Sequence, residues 1–453
     1  MNNLFRISIC ALAVLFHTAC AAATTEPVNT PRNVIFMLGD GMGHAHIKAY
    51  RMYADDTSTH IIEPLPVDSL LVGSVATDSI IMNCDEQNLN CERDPHGVTD
   101  SASSATAYAT GHDTITGRLS VDTEGAPMKT ILEEARQEGK STGLVATSQI
   151  VHASPAAFAS HVMSRRQQND IADQYFDTQW QGAPMVNVML GGGLQYMQRE
   201  DRDLVSEFKQ AGYQVATDRE GMLAMQGERL LGLFAPVGMP KSWDRAPTVP
   251  SLAEMTQTAL KSLSQNEQGF FLMVEGSQID WAAHGNSIPG VISEMEDFMA
   301  TVTVALEFAK KSQDTLVIVL SDHETGGLAT ASDGVYAWNR APLQGMKATP
   351  SGMIERMLAG DKKLSAIVAE NIAFELSQEE IEALDAAGRE EREAFAAVAE
   401  VFNQRTGTGW TSGGHTGIDV PLYAFGPGSN HFHGVMQNED VGRVMREVFL
   451  PKK

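Results

Sequence analysis

Aliphatic runs that end in glycine or acid alternate along this chain with stretches of helical periodicity. "NVIFMLGDG" (33–41) is an apolar run closing on Gly-Asp-Gly, suited to a strand buried on both faces with Asp40 just past its end. "MKTILEEARQEGK" reads as an amphipathic helix and "STGLVATS" as the strand after it, while "VNVMLGGG" (186–193) repeats the strand-then-glycine pattern. "DLVSEFKQAGYQVAT" predicts helix then strand. "SLAEMTQTALKSLSQNEQGFFLMVEGSQID" predicts helix, turn and a strand at 270–274; "EMEDFMATVTVALEFAKKSQDTLVIVLSDHE" repeats this with a strand at 316–320. Helices alternating with aliphatic strands predict an α/β fold, a mostly parallel central sheet sandwiched by helices. From about 333 to 413 the rhythm breaks into a helical stretch, in which Ser377 and Glu380 are spaced as a capping box. We read this stretch as an inserted smaller subdomain. In parallel sheets ligands sit beyond the carboxyl ends of the strands, where Asp40, Glu275, Asp322 and His323 all fall.

Composition narrows the class. With 453 residues, 43% of them hydrophobic, the chain can bury a large core. A formal net charge of −24 without a basic patch argues against binding nucleic acid through its phosphates. Any anionic substrate must therefore find positive charge supplied locally. The first residues hold Arg6, an apolar run from Ile7 to Phe16 and then small residues, which predicts a secretory signal over 1–23 cleaved after Ala23. Cys20 as a lipidated first residue is the alternative, giving a lipoprotein rather than a freely periplasmic or secreted protein. Cys84 and Cys91 remain in the polar "NCDEQNLNCER", placed for a local disulfide in an oxidising compartment or for two free thiols.

The chemistry-bearing residues cluster at the predicted strand ends. Asp280 and His284 in "QIDWAAHGN" are four apart and share a helix face. "SDHETGG" sets Asp322 beside His323, and "SGGHTG" places His415 in a loop where glycine allows close backbone approach. Each alone is ordinary: an Asp and a His four apart usually decorate a surface, Asp40 could cap a helix and Glu275 could be solvated. Their conjunction gives carboxylates and imidazoles in a mixture suited to zinc with open positions. "VTDSASSATAYATG" (98–111) looks like low complexity, yet Asp100-Ser101 delivers a serine onto a helix N-terminus. No His or Lys in that stretch can serve as its base, and metal coordination removes the need for one.

"MLGDGMG", "VTDSASSATAYATG", "VHASPAAFASHVMSR", "VEGSQIDWAAHGN", "SDHETGG" and "SGGHTG" resemble, in order, the successive signatures of the alkaline phosphatases, along about residues 31–450. The resemblance implies a phosphomonoesterase with two zinc ions and one magnesium ion per subunit, and a homodimer. It implies Asp280, His284 and His415 at the first zinc, and Asp40, Asp322 and His323 at the second. Asp40, Ser154 and Glu275 would serve the magnesium. Ser101 would be the nucleophile of a two-step displacement through phosphoserine, Arg165 the phosphate clamp, and Asp100 the residue orienting Arg165. Arg165 is preferred to Arg166 because it lies thirteen positions after His152 in the motif.

Two positions depart from the family pattern. His152 and Ser154 stand where some members carry Asp and Thr, and a histidine there weakens an oxygen-only magnesium site, leaving zinc or another divalent ion open. Trp281 stands where some relatives place Lys or His, either tuning phosphate affinity or simply packing. His161 is read as supporting the "HVMSR" segment at most, and Ser103, Ser104 and Thr106 as small residues that let their helix pack closely. A related phosphodiesterase would be expected to carry Thr or other arginines at the site. A scaffold that had lost catalysis would have no need of Ser101.

Overall fold

The computed structural model describes residues 30–84, 91–332 and 334–450. The expected signal over 1–23, with Cys20, lies outside the described residues. Ten strands form one sheet and are numbered along the chain. They are β1 (Asn33–Gly39), β2 (Leu71–Ala76), β3 (Ser141–Gln149), β4 (Val188–Gly192), β5 (Gln214–Ala216), β6 (Leu230–Leu233), β7 (Phe270–Gly276), β8 (Thr315–Leu320), β9 (Val420–Phe425) and β10 (Gly434–Gln437). Their order across the sheet is β10-β2-β9-β8-β1-β7-β3-β4-β6-β5. Only β9 runs antiparallel to its neighbours. The predicted mostly parallel sheet is therefore present.

Alternation along β1 feeds two cores. Val34, Phe36 and Leu38 pack with Ala102, Ala105 and Tyr108 of the helix Ser101–Thr110 and with Val441 and Met445 of the helix Asn438–Phe449. Ile35 and Met37 face the other way, against Leu252 and Met255 of the helix Leu252–Leu263 and Val291 and Met295 of the helix Ile288–Ser312. A strand covered on both faces must be apolar at every position, which is why these runs are continuous rather than alternating. The helices Pro350–Ala359, Leu364–Asn371, Gln378–Ala386 and Glu391–Thr406 build a third cluster that seats Met353, Leu384, Val398 and Phe402 against Ile288 and Ile292. Ser377 and Glu380 do form the capping box.

Three expectations are refined. The helix Ser101–Thr110 is buried along its whole length, so its hydroxyls cannot act only as small groups. Ser104 donates to the carbonyl of Asp322, Ser103 to the Asp100 carboxylate, and Thr106 accepts from the Ser120 N–H. Second, β2, β9 and β10 escape the periodicity argument. Third, Cys84 and Cys91 are register partners in a two-stranded hairpin, Asp78–Cys84 with Cys91–Val98. Among the described residues no helix is long and apolar enough to cross a membrane.

Candidate active site

The four central strands β8, β1, β7 and β3 end side by side, and their carboxyl ends carry the chemistry. Leu38 of β1 pairs with Glu275 of β7 and with Leu320 of β8, so Asp40, Glu275 and Asp322 emerge at one edge. The chain turns sharply after Asp40 at Gly41, whose φ is +71°. A Cβ there would lie 2.9 Å from the Asp280 Cα, so glycine lets the strand end press against the helix Gln278–His284.

Asp40, Asp322 and His323 are wholly buried, and Ser101 is 1% exposed. Ser101 is the first residue of its helix, and its Oγ lies 3.2 Å from His323 Nε2. The same Nε2 is 3.2 Å from Asp322 Oδ2 and 3.6 Å from Asp40 Oδ1. On its other side His323 Nδ1 lies 3.2 Å from Thr325 Oγ1, whose own proton goes to Asp280 Oδ1 at 2.6 Å. Thr325 thus accepts from Nδ1–H, and the Nε2 lone pair of His323 faces the acids.

The same logic sets the other two histidines. His415 Nδ1 is 2.8 Å from the Thr99 carbonyl and His284 Nδ1 is 2.8 Å from the Gly413 carbonyl. A carbonyl only accepts, so both rings carry their proton on Nδ1. Their Nε2 lone pairs then face each other at 3.2 Å, with Asp280 Oδ1 3.4 Å from one and 3.8 Å from the other. Two lone pairs and a carboxylate at such separations repel unless a cation lies among them. Asp280, His284 and His415 form one group with metal-ligating geometry, Asp40, Asp280 and His323 a second, and Asp40, His152 and Glu275 a third.

The buried oxygens point the same way. Both oxygens of Asp40, Oδ2 of Asp322, Oε1 of Glu275 and the Ser154 hydroxyl have no hydrogen-bond partner among the described residues. Burial, then the neighbouring charges of Asp322, Asp280 and Glu275, pushes the Asp40 carboxyl far above the usual range. Burial raises Asp322 and takes Glu275 to about 7, although Ser277 and Ser148 donate to the latter. So many desolvated acids call for a compensating charge, and the residues present fit divalent cations.

Arg165 closes the site. It donates to Asp100 Oδ2 at 2.9 Å and to His152 Nε2 at 3.1 Å. Burial disfavours the Asp100 carboxylate, but Arg165 and the N–H groups of Gly117 and Ser103 outweigh it and hold the group at about 2. His152 is held at about 3 by burial and then by Arg165, so it is neutral. Accepting from Arg165 at Nε2 puts its proton on Nδ1, so its service to Arg165 competes with ligation of a third cation. Trp281 stands edge-on to His152, 5.6 Å between centroids, with Lys241 5.8 Å from its ring.

The candidate ligands Asp40, His152, Glu275, Asp280, His284, Asp322, His323 and His415, together with Ser101, Asp100 and Arg165, lie in this one cluster of strand ends and adjoining helix termini, whereas His161 lies outside it. Unanticipated were the residues that aim them: Thr325, the carbonyls of Thr99 and Gly413, and Ser148 with Ser277 behind Glu275. Thr325, Thr99 and Ser277 sit inside quoted motifs and Ser148 ends a quoted strand, but nothing in a sequence shows which way a backbone carbonyl or a small hydroxyl will point.

Comparison with known proteins gives a consistent picture. A sequence model described as "Alkaline phosphatase" matches residues 31–450. "Alkaline phosphatase 3" of Bacillus subtilis is 44% identical over 91% of this chain and 87% of its own length. "Alkaline phosphatase 4" of the same organism is 41% identical over 98% and 94% respectively. The crystal structure of a cold-active alkaline phosphatase from a psychrophilic Shewanella sp. superposes with a TM-score of 0.82 at 36% identity, covering 93% of this chain and all of the other.

Proposed function

Because this chain belongs to the alkaline phosphatase family and is a metal-binding phosphoric monoester hydrolase, we propose that it works through a phosphoserine on Ser101 at a two-zinc plus magnesium centre. The observation that carries this reading is the convergence of the buried Ser101 Oγ on the His323, Asp322 and Asp40 cluster.

Asp280, His284 and His415 would hold the first zinc, Asp40, Asp322 and His323 the second. Asp40, Glu275 and Ser154 would hold magnesium, with His152 at its border. When bound, the ions would supply Lewis-acid charge and lower the pKa of an oxygen nucleophile. Arg165 offers two N–H groups in the plane that suits two phosphoryl oxygens, and Asp100 holds it there. The first N–H groups of the helix Ser101–Thr110 add positive dipole where those oxygens gather. Ser101 Oγ gives up its proton to solvent and attacks phosphorus as the ester's P–O bond breaks, and the departing oxygen takes a proton from solvent to leave as the alcohol. Water then attacks the phosphoserine, returning Ser101 Oγ and releasing inorganic phosphate. His284 is partly exposed while His323 is fully buried, so the alcohol leaves on the His284 side.

Export to the periplasm or medium, with residues 1–23 removed, rests on the apolar run at Ile7–Phe16; homodimer formation rests on the family resemblance. A Cys84–Cys91 disulfide is supported by their pairing in register and fits that compartment. The 333–413 stretch is an insertion carried on the main domain, supported by its separate apolar cluster.

The test is turnover of a phosphate monoester and of a diester, with and without a chelator, on wild type and Ser101→Ala. Loss of monoester hydrolysis on chelation, and loss of phosphoserine labelling in Ser101→Ala, are expected. Turnover untouched by chelation overturns the metal centre; labelling that survives in Ser101→Ala overturns the nucleophile; diester preference overturns the substrate class.

A further inference from the structure

A second network, away from the metal-ligating side chains, centres on His161. Its ring is 16% exposed and has an acceptor at each nitrogen. Nδ1 lies 2.8 Å from the Ser120 carbonyl, and Nε2 lies 3.0 Å from Glu133 Oε1. Neither acceptor can donate, so both contacts are hydrogen bonds only when the ring carries two protons. The ring is therefore an imidazolium at its full complement of bonds. Burial opposes that charge, but Glu133 and the Ser120 carbonyl outweigh it and raise the pKa above the ordinary value. Glu133 is the charged group facing the ring, and Lys129 acts on it in turn.

One acceptor, Ser120, sits on a segment that builds the phosphate clamp, and the other, Glu133, sits on the helix Ile131–Gln137. Residues 117–120 and 161–165 are zipped together by backbone bonds, Leu119 with Val162 in both directions and the Arg165 N–H to the Gly117 carbonyl at 2.8 Å. Gly117 N–H in turn binds Asp100 Oδ1 at 3.0 Å. Ser120 ends this zip in the left-handed region at φ 45°, a conformation costly for a residue with a side chain. The N–H of Ser120 is tied to Thr106 of the Ser101 helix and its hydroxyl to the Ala157 carbonyl. Its carbonyl is shared between the Met128 N–H and His161 Nδ1, each at 2.8 Å. Gln174 clamps the backbone of His161 from outside, accepting its N–H at 2.7 Å and donating to its carbonyl at 3.0 Å. The Arg165 segment is thus anchored at one end by Asp100 and at the other by His161.

We propose that His161 is a positioning residue: as an imidazolium bridging Ser120 and Glu133, it holds the segment that carries Arg165 in register with the helix that carries Ser101, and thereby sets phosphate affinity. Loss of one ring proton leaves His161 only one of its two hydrogen bonds and loosens the clamp. Binding of the phosphoryl group is therefore strengthened while the ring is charged and relaxed once it is neutral, a bias toward product release on the alkaline side. This inference rests on Arg165 as the phosphate clamp.

The test uses metal-loaded enzyme and inorganic phosphate as competitive inhibitor, at several values between about pH 6 and 9 to span the imidazole range. His161→Ala is expected to weaken inhibition by about tenfold at the acid end, the scale of a charge-assisted hydrogen bond, with KM moving more than kcat. The gap to wild type closes as pH rises through the His161 titration. In an Arg165→Ala background the same change has little further effect. Glu133→Gln retains the capping box with Thr130 and stays testable if His161→Ala folds poorly; it moves the closing point to lower pH. A gap that is constant across pH, full additivity with Arg165→Ala, or an unmoved closing point in Glu133→Gln overturns the latch. An Arg165→Ala enzyme inhibited as strongly as wild type overturns the clamp reading itself, a separate outcome.

Discussion

Asp100 shows how one carboxylate at this site serves two structures at once. It caps the helix Ser101–Thr110 through the Ser103 N–H and holds Arg165 through its other oxygen. These duties separate by substitution. Asp100→Asn keeps the cap acceptor and loses the charge, so phosphate inhibition should weaken and the thermal midpoint should fall by the lost charge interaction alone. Asp100→Ala loses both, with a further stability cost of about 1 kcal/mol for the cap. Equal melting of the two variants would show that the cap contributes nothing. The pH dependence has a fixed sign. A carboxyl held at about 2, below its ordinary 3.8, adds stability that is complete above the ordinary value and is lost as pH falls through about 2. The stability gap between wild type and Asp100→Asn should therefore shrink over that acid window. The carboxylate was readable in the motif, and the glycine N–H that shares it, seventeen residues on, was not.

Elements matter here through where they stop. The strands β1, β7 and β8 were legible because burial on both faces forces an aliphatic run, and β3, mostly small and polar, was read from its Leu-Val-Ala centre after a helix. The strands β2, β9 and β10 were not. Leu71–Ala76 includes Gly73, Val420–Phe425 includes Pro421, and Gly434–Gln437 is largely exposed, so none has the expected signature. Their pairing, Gly73 opposite Gly434 and Val75 opposite Val420, joins distant parts of the chain and exists only once the sheet has assembled. The turn leaving β1 makes the element-level prediction. Gly41→Ala must hold φ near +71° and place a Cβ 2.8 Å from Thr325 Oγ1. A cost of about 1–3 kcal/mol is expected in urea unfolding, with turnover falling further because Asp40, Asp280 and Thr325 all border that turn. Turnover equal to wild type would mean the turn can shift without disturbing the acids.

For the whole molecule, the cost of the site falls on stability. Asp40, Asp322 and Glu275 are desolvated acids stacked at the centre of the sheet, and their raised pKa values record that cost. Cations bound to the native state but not the unfolded chain offset it. Chelation should therefore lower the thermal midpoint, and by less at mildly acid pH than at alkaline pH. The sign follows from the raised values: the unfolded chain ionises these groups readily, whereas the metal-free native state is relieved when they are protonated. Glu275, near 7, places part of the effect around neutrality. A chelated protein whose midpoint is independent of pH there would show that the acids do not carry the charge strain. Melting curves with and without chelator measure it.

Local pattern was enough to determine the α/β class, the strand-end placement of Asp40, Glu275, Asp322 and His323, and the serine at a helix mouth, because periodicity and helix capping act over a few residues. The ordered motifs were enough to determine the family. Only the tertiary structure decided which ring nitrogen of each histidine faces inward, because that depends on carbonyls such as those of Thr99 and Gly413, which any residue type can supply. It also decided that Arg165 is gripped from both ends of its segment, since Ser120, Glu133 and Gly117 meet it only after the chain has folded.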